Sequence, residues 1–349
     1  MHTSLILRGM KVIGDIAEFP SAARGGVLSV GNFDGVHLGH QQMLSAAAAI
    51  ARREGCPLVI LTFDPHPLAV IKPEIKRAPL LTLSQRLDLL AGFSPDVLVV
   101  QQANAAFLGM SADNFLRHIV RDTFAARWMV EGPNFTFGHR AQGTVQTLIE
   151  RGQEFHIQPT IVATAAAALS DLTLVDVSSS LIRWLIAQGR VRDAAITLGR
   201  PYTIRGRVEQ GAARGRTIGW PTANIHTQQA IPAAGVYSGW GILGAKRYPA
   251  AISIGNNPTF DGAASTLEAH LLDFSGDIYG HELDLQFFRW LRDQQKFASV
   301  EALKRQIEFD VARVRQALQS QPLPTAADHP GPIPHQPAPA GAIAKEHAS

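Results

Sequence analysis

Short runs in the first part of the chain are apolar at nearly every position: Val27 to Val30, Leu58 to Phe63, Val97 to Val100 and Trp128 to Val130. Each lies between stretches with helical spacing, which predicts an α/β unit whose parallel strands are covered by helices. The segment His40 to Arg53 is rich in alanine and glutamine and is followed by Gly55. It predicts a helix that starts just after the first strand and ends on a glycine cap. After about Ile186 the pattern changes. The runs Thr203 to Val208, Val236 to Leu243, Ala250 to Ile254, Leu267 to Phe274 and Leu283 to Phe288 have strand length and partial alternation, with glycine- or proline-containing turns between them. They predict an antiparallel barrel or sandwich. Val300, Leu303, Ile307, Val311 and Val314 recur at helical intervals, so a helix should follow the last strand and pack on the barrel. From about Gln321 the chain turns to Pro, Ala and His with few large apolar residues, which predicts a disordered tail. The expected units are therefore residues 1–186, 187–320 and 321–349.

A length of 349 residues agrees with more than one folded unit, since it exceeds what one hydrophobic core usually organises. The apolar fraction of 46% and charged fraction of 17% suit soluble domains, and a net charge of +3 is too small to argue for nucleic acid or a membrane surface as partner. A lone cysteine, Cys56, cannot form an intrachain disulfide and is expected to be a small buried hydrophobe. The apolar run Leu5 to Leu7 stops at Arg8, too short for a secretory signal, and the alanine-rich run Ala163 to Leu169 is far shorter than a membrane span. The expectation is a cytoplasmic protein, a monomer or weak homo-oligomer, whose partners are small molecules.

The most informative stretch is Gly31-Asn32-Phe33-Asp34-Gly35-Val36-His37-Leu38-Gly39-His40, between the first expected strand and the first expected helix. Glycines let backbone approach phosphate, and a helix start offers unpaired N–H groups and positive dipole. Two histidines three residues apart can aim both rings at one anion and stabilise charge developing on a triphosphate. A lone His-x-x-His is also compatible with a plain helix-surface pair. Supporting stretches are Thr62-Phe63-Asp64-Pro65-His66-Pro67, Gly132-Pro133-Asn134-Phe135-Thr136-Phe137-Gly138 and Val177-Ser178-Ser179-Ser180-Leu181-Ile182-Arg183. Together they resemble the nucleotidylyltransferase superfamily and, within it, the FMN adenylyltransferase module of bacterial bifunctional FAD synthetases. The resemblance implies a Rossmann-like domain in which Gly31, Phe33, Asp34, Gly35, His37, His40, Ser179, Ser180 and Arg183 bind ATP, with His37 and His40 catalytic. It further implies that Asp64, Pro65, His66 and Asn134 contact flavin or nucleotide. For Asp64 and His66, a turn closed by two prolines remains the alternative. Ser180 stands where the family usually has threonine and keeps the hydroxyl.

A second cluster runs from Gly206 to Ile225 and contains Gly211, Gly215, Arg216 and the segment Pro221-Thr222-Ala223-Asn224, taken as a turn. No Gly-Lys-Ser/Thr ends it, so it is not a Walker A loop. With Gly235-Val236-Tyr237, Ile254 to Phe260, Glu268 to Phe274 and Tyr279-Gly280, it is similar to the riboflavin kinase signature. That resemblance implies an antiparallel β-barrel kinase domain with a terminal helix. Gly211, Gly215, Arg216, Thr222 and Asn224 would bind ATP, Thr222 and Asn224 would also hold Mg²⁺, and Tyr237, Glu268 and Arg292 would meet the flavin. Glu268 would be the catalytic base: the riboflavin hydroxyl attacking ATP is a neutral alcohol, and a carboxylate can take its proton. The FMN phosphate needs no such base, being largely ionised near neutrality. Gln294 departs from the glutamate that many family members carry. The two resemblances span nearly all of the chain except the tail, and they imply conversion of riboflavin to FMN and of FMN to FAD, each with ATP. A single retained activity and a non-catalytic flavin carrier are the competing readings.

Overall fold

The structure, a computed structural model, describes residues 5–7, 10–210, 219–255 and 266–319. The Gly- and Arg-rich segment holding Gly211, Gly215 and Arg216, the segment Asn256 to Phe260 and the expected tail lie outside the described residues.

The first unit is built on strands β1 (Leu5–Leu7), β2 (Met10–Ile13), β3 (Val27–Val30), β4 (Leu58–Phe63), β5 (Val97–Gln101) and β6 (Trp128–Glu131). A small hairpin of β7 (Thr136–Phe137) and β8 (Gly143–Thr144) precedes β9 (Gln158–Ile161). The seven-stranded sheet has the order β1-β2-β5-β4-β3-β6-β9, parallel except for β1. Every residue of β3 and β4 is buried, as continuous apolar runs require when helices cover both faces of a sheet. Helix α1 (Leu38–Glu54) ends on Gly55 in the left-handed conformation, as its sequence predicted, and lays Met43, Leu44, Ala47 and Ala51 into the core. After β3 the chain builds β4 and β5 to one side and then crosses to β6 on the other. Such a switch in strand order opens a crevice at the carboxyl ends of the strands, and the stretch Gly31 to His40 leaves β3 there.

Further helices follow: α2 (Pro67–Ile71), α3 (Leu83–Ala91), the π-helical α4 (Phe115–Thr123), α5 (Val145–Gly152), α6 (Ser179–Ala187) and α7 (Val191–Leu198). A short hairpin of β10 (Ala166–Ala168) and β11 (Leu174–Asp176) precedes α6.

The second unit is a closed barrel of β12 (Thr203–Glu209), β13 (Ala223–His226), β14 (Gly235–Leu243), β15 (Lys246–Gly255), β16 (Thr266–Leu271) and β17 (Glu282–Arg292). Its order is β12-β13-β16-β15-β14-β17, with antiparallel neighbours throughout. Alternate residues such as Ile204, Ala250, Ile252, Leu285 and Phe287 fill the interior, so Asn224, Ser253 and Glu268 stand on the outer face. Helix α8 (Val300–Gln319) packs on β14, β15 and β17, and Asp310 on it grips Arg292 in a bidentate ion pair at 2.7 to 3.0 Å.

Four expectations need correction. Pro221 to Asn224 is not simply a turn, because Ala223 and Asn224 begin β13 and pair with β16. The run expected to continue to Phe274 leaves the sheet after Leu271, and Asp273 takes a left-handed backbone with φ 60°. Val300, expected on the packed stripe of α8, is 49% exposed, and the buried residues of that helix lie further along, at Asp310, Val314 and Ala317. Cys56 is half-buried rather than fully enclosed, and burial raises its thiol pKa.

Candidate active sites

The stretch after β3 makes a tight turn in which Phe33, Gly35 and Val36 all have positive φ (48°, 90° and 37°). At Gly35 a side chain would be doubly opposed, because an added Cβ would lie 2.9 Å from Leu80 Cδ1. The Phe33 ring is fully buried beneath the turn and meets the His40 ring edge-on at 5.4 Å. His37 is the N-cap of α1, its Nδ1 accepting from the His40 N–H at 3.4 Å. The two imidazoles stack with centroids 3.7 Å apart and an interplanar angle of 18°. Burial first, then the Arg200 guanidinium, lowers the His37 pKa to about 4. His40 is held well below its ordinary value by burial, by His37 and by Arg200. Both rings are therefore neutral near pH 7 and can donate ring N–H groups to phosphate oxygens. His40 Nδ1 is buried without a partner among the described residues.

Residues 145 to 149 positions further along close the site. Ser179 donates from Oγ to the Asp34 carbonyl at 2.7 Å, and the Arg183 guanidinium forms an ion pair with the Asp34 carboxylate. The same carboxylate accepts from the Leu80 N–H at 3.0 Å. Ser180 accepts from Arg77 at 3.0 Å, which adds a second cation. His66 caps α2 by accepting from the Leu68 N–H at 3.1 Å. Burial lowers its pKa; Asp34 opposes that shift, while Arg77, Arg183 and Arg86 add to it, so the ring feels the same cluster. Asp64 and Pro65 precede it at the end of β4, with Asp64 accepting from Arg86 at 3.4 Å. Asn134 lies on an exposed turn beyond β6, and among the described residues no hydrogen bond ties its side chain to the cluster.

Sequence reasoning missed four members of this neighbourhood. Arg86 on α3 is buried and donates to the carbonyls of Asn32 and Phe63 at 3.0 and 2.9 Å. Glu131 at the end of β6 is fully buried; its Oε1 accepts from the Val30 N–H at 2.8 Å, and burial holds its pKa well above the carboxylate range. Arg77 and Arg200 complete the set. None sits in a motif, and a basic residue in a helix or turn normally reads as solvated.

The barrel brings a second group together. Asn224 on β13 and Ser253 on β15 both stand in register with Glu268 on β16, and Thr222 donates from Oγ1 to Glu268 at 3.2 Å. Beside them opens a cavity of about 300 Å³ lined by Val208, Thr222, Ala269, Leu271, Phe274 and Tyr279. His270 Nδ1 lies 2.8 Å from the Pro221 carbonyl and helps fix the segment before β13. Tyr237 and Arg292 are engaged inside the fold. The Tyr237 hydroxyl donates to the Ala233 carbonyl at 2.6 Å, its pKa pushed up to about 12 by burial and by Asp293, while Arg292 is paired with Asp310. The Gln294 amide donates to Ser253 Oγ at 2.8 Å and to the Ile254 carbonyl at 3.0 Å.

Two sites of different construction thus stand on one chain, and known families match each of them. An FAD synthetase model matches residues 19–173, and a riboflavin kinase model matches residues 198–318. The bifunctional riboflavin kinase/FMN adenylyltransferase of Escherichia coli K12 is 33% identical over 310 residues, covering 88% of this chain and 97% of its own length. The chain belongs to the bifunctional riboflavin kinase/FMN adenylyltransferase family. The Listeria monocytogenes member is 35% identical over 288 residues, which are 81% of this chain and 90% of that protein. A crystal structure described as the macrolide-efflux protein of Streptococcus pneumoniae shares the architecture, with a TM-score of 0.78, 30% identity and coverage of 87% of this chain and 98% of that one. As a riboflavin kinase/FMN adenylyltransferase, the protein is a transferase that uses riboflavin, FMN and ATP and yields FAD. Among the described residues no helix is long and apolar enough to cross a membrane.

Proposed function

We propose that the two reactions are divided between the two clusters, FMN adenylyl transfer at the turn after β3 and riboflavin phosphorylation on the outer face of the barrel. What carries this reading is the separate grouping of Ser179, Arg183 and the stacked His37 and His40 around one helix start, and of Thr222, Asn224 and Glu268 beside the barrel cavity. In the first site an FMN phosphate oxygen attacks the α-phosphorus of ATP and pyrophosphate leaves. Gly31, Phe33, Asp34 and Gly35 shape the turn. His37, His40, Ser179, Ser180 and Arg183 hold the polyphosphate, and His37 and His40 donate to the oxygens on which charge grows. Asp64, Pro65, His66 and Asn134 border the flavin side.

In the second site the 5′-hydroxyl of riboflavin attacks the γ-phosphorus of ATP, its proton passing to Glu268 as ADP departs. Thr222 and Asn224 offer neutral hard oxygen donors next to a carboxylate, a set that suits Mg²⁺ shared with substrate phosphates. The ion would supply charge neutralisation there. Gly211, Gly215 and Arg216 complete the ATP contacts, with Tyr237 and Arg292 supporting the flavin end. The adenylyltransferase unit is assigned to residues 1–186 and the kinase unit to 187–320, in a cytoplasmic, monomeric or weakly self-associating enzyme that binds neither nucleic acid nor membrane. The test is to incubate the protein with riboflavin, ATP and Mg²⁺ and to separate the flavins. FMN followed by FAD is expected, whereas unchanged riboflavin, or FMN that never proceeds, would reject the division.

A further inference from the structure

The turn that carries His37 is held from the far side by a residue of the other half. Arg200 follows α7 and directly precedes the barrel: Tyr202, two residues on, donates from its hydroxyl to the Ala230 carbonyl, and its own carbonyl accepts from the Phe287 N–H. Arg200 is half-buried, burial lowers its pKa, and among the described residues no carboxylate pairs with it. It points instead into backbone. One Nη donates to the Val36 and Leu198 carbonyls at 3.0 and 3.1 Å, and the other donates to the Gly35 carbonyl. Gln41 on α1 donates from Nε2 to the same Val36 and Leu198 carbonyls, each at 2.8 Å. Two side chains therefore share one pair of acceptors and lash the turn after β3 to the end of α7.

The acceptors are the residues that most need holding. Val36 is β-branched yet has φ 37°, a backbone region that such residues avoid and that persists only when the surroundings enforce it. Its neighbour His37 must then leave the turn at φ −75° and ψ 173° to cap α1 and stack on His40. Relaxation of Val36 would swing the cap and the paired rings together. The charge has a second effect. Among the described residues, Arg200 is the charged group acting on His37, and His37 and Arg200 act on His40, so the fixed cation opposes protonation of both rings. A half-buried cation that has no carboxylate partner among the described residues is costly to maintain for structure alone, and a polyphosphate bound at this helix start would compensate it.

We infer that Arg200 is a positioning residue for adenylyl transfer, supplied by the segment that enters the kinase barrel, which clamps the Gly35 and Val36 carbonyls so that His37 and His40 face the polyphosphate. This rests on adenylyl transfer occurring at the His37 turn. His37→Ala tests that premise separately: FAD formation undiminished in that variant would displace the site, whatever Arg200 does.

For Arg200 itself, the full-length chain is assayed for both reactions across pH. Arg200→Met should lower kcat/KM for ATP in adenylyl transfer by about tenfold to a hundredfold while riboflavin phosphorylation stays within about twofold. The pH transition of adenylyl transfer should also move upward, because the rings then protonate more readily, and a purely structural role would not move it. Arg200→Lys keeps the charge but cannot span three carbonyls, so it should show a smaller rate loss with the wild-type pH transition. If Arg200→Met does not fold, Arg200→Lys decides: loss confined to adenylyl transfer supports the clamp. Wild-type rates in the folded variants, or parallel loss of both activities, would overturn it.

Discussion

Replacing Glu268 with Gln separates chemistry from architecture in the barrel. The side chain is half-buried on the outer face of β16, where, among the described residues, it accepts a hydrogen bond from Thr222 at 3.2 Å and stands in register with Asn224 and Ser253. Glutamine has the same length and volume, and its amide oxygen can still accept from Thr222. The folded state should therefore change by no more than about 1 kcal/mol. What disappears is a group able to take the proton from the riboflavin hydroxyl. General-base catalysis is worth about a hundredfold to ten-thousandfold, or about 3 to 5.5 kcal/mol of barrel-site activation free energy. Phosphorylation of riboflavin should slow by that factor, while conversion of supplied FMN to FAD, which we assign to the turn after β3, should change by less than about twofold. Chromatographic separation of riboflavin, FMN and FAD reads both steps in one sample. A variant that phosphorylates riboflavin within about threefold of wild type would refute the role of Glu268 as base, and an equal fall in both steps would show that the change had damaged the fold instead.

Three further outcomes follow from the first site. His37→Ala should reduce FMN adenylylation by at least about a hundredfold and leave riboflavin phosphorylation in place, as the same flavin separation would reveal. The pH dependence of stability should carry the mark of that residue: with the folded His37 pKa near about 4, the unfolded chain takes up protons below about pH 6.5 that the folded chain refuses. Stability is then complete above that pH and is lost as pH falls toward about 4, His37 contributing about 3 kcal/mol at most, so denaturant titrations at neutral and acid pH should show a smaller acid loss in His37→Ala. Asp34→Asn leaves Arg183, only 16% exposed, without its counter-ion and should cost about 3 kcal/mol in denaturant unfolding. The double variant Asp34→Asn/Arg183→Met should lose less than the sum of the singles, and strict additivity would contradict the pairing.

Much of this molecule is written in short-range pattern. Continuous apolar runs at Val27 to Val30 and Leu58 to Phe63 are explicit enough to name buried parallel strands, and Gly55 marks the end of α1, because burial on both faces and a left-handed cap each demand particular residues locally. The alternation along β12, β15 and β17 likewise announces a sheet with one filled face. Family resemblance singled out His37, Ser179, Thr222 and Glu268 as candidates, and folding places His37 on His40, Ser179 on Asp34 and Thr222 on Glu268. Ala223 and Asn224 misled as turn residues: what makes them a strand is pairing with β12 and β16, whose partners lie far away in sequence.

Which polar side chains meet at the candidate sites was decided only by folding. Arg200 reaches the Gly35 carbonyl across 165 positions, Arg183 finds Asp34 across 149, and Glu131 meets the Val30 N–H across 101. Neither periodicity nor local spacing encodes such meetings. They arise when the crossover from β5 to β6 and the packing of α6 and α7 against the barrel bring distant backbone together, and the value of a charge or hydrogen bond is then set by the burial that this packing creates. Sequence alone determined the two kinds of unit, their order and the candidate motifs. Tertiary structure decided how the strained turn at Val36 is held and which arginine holds it.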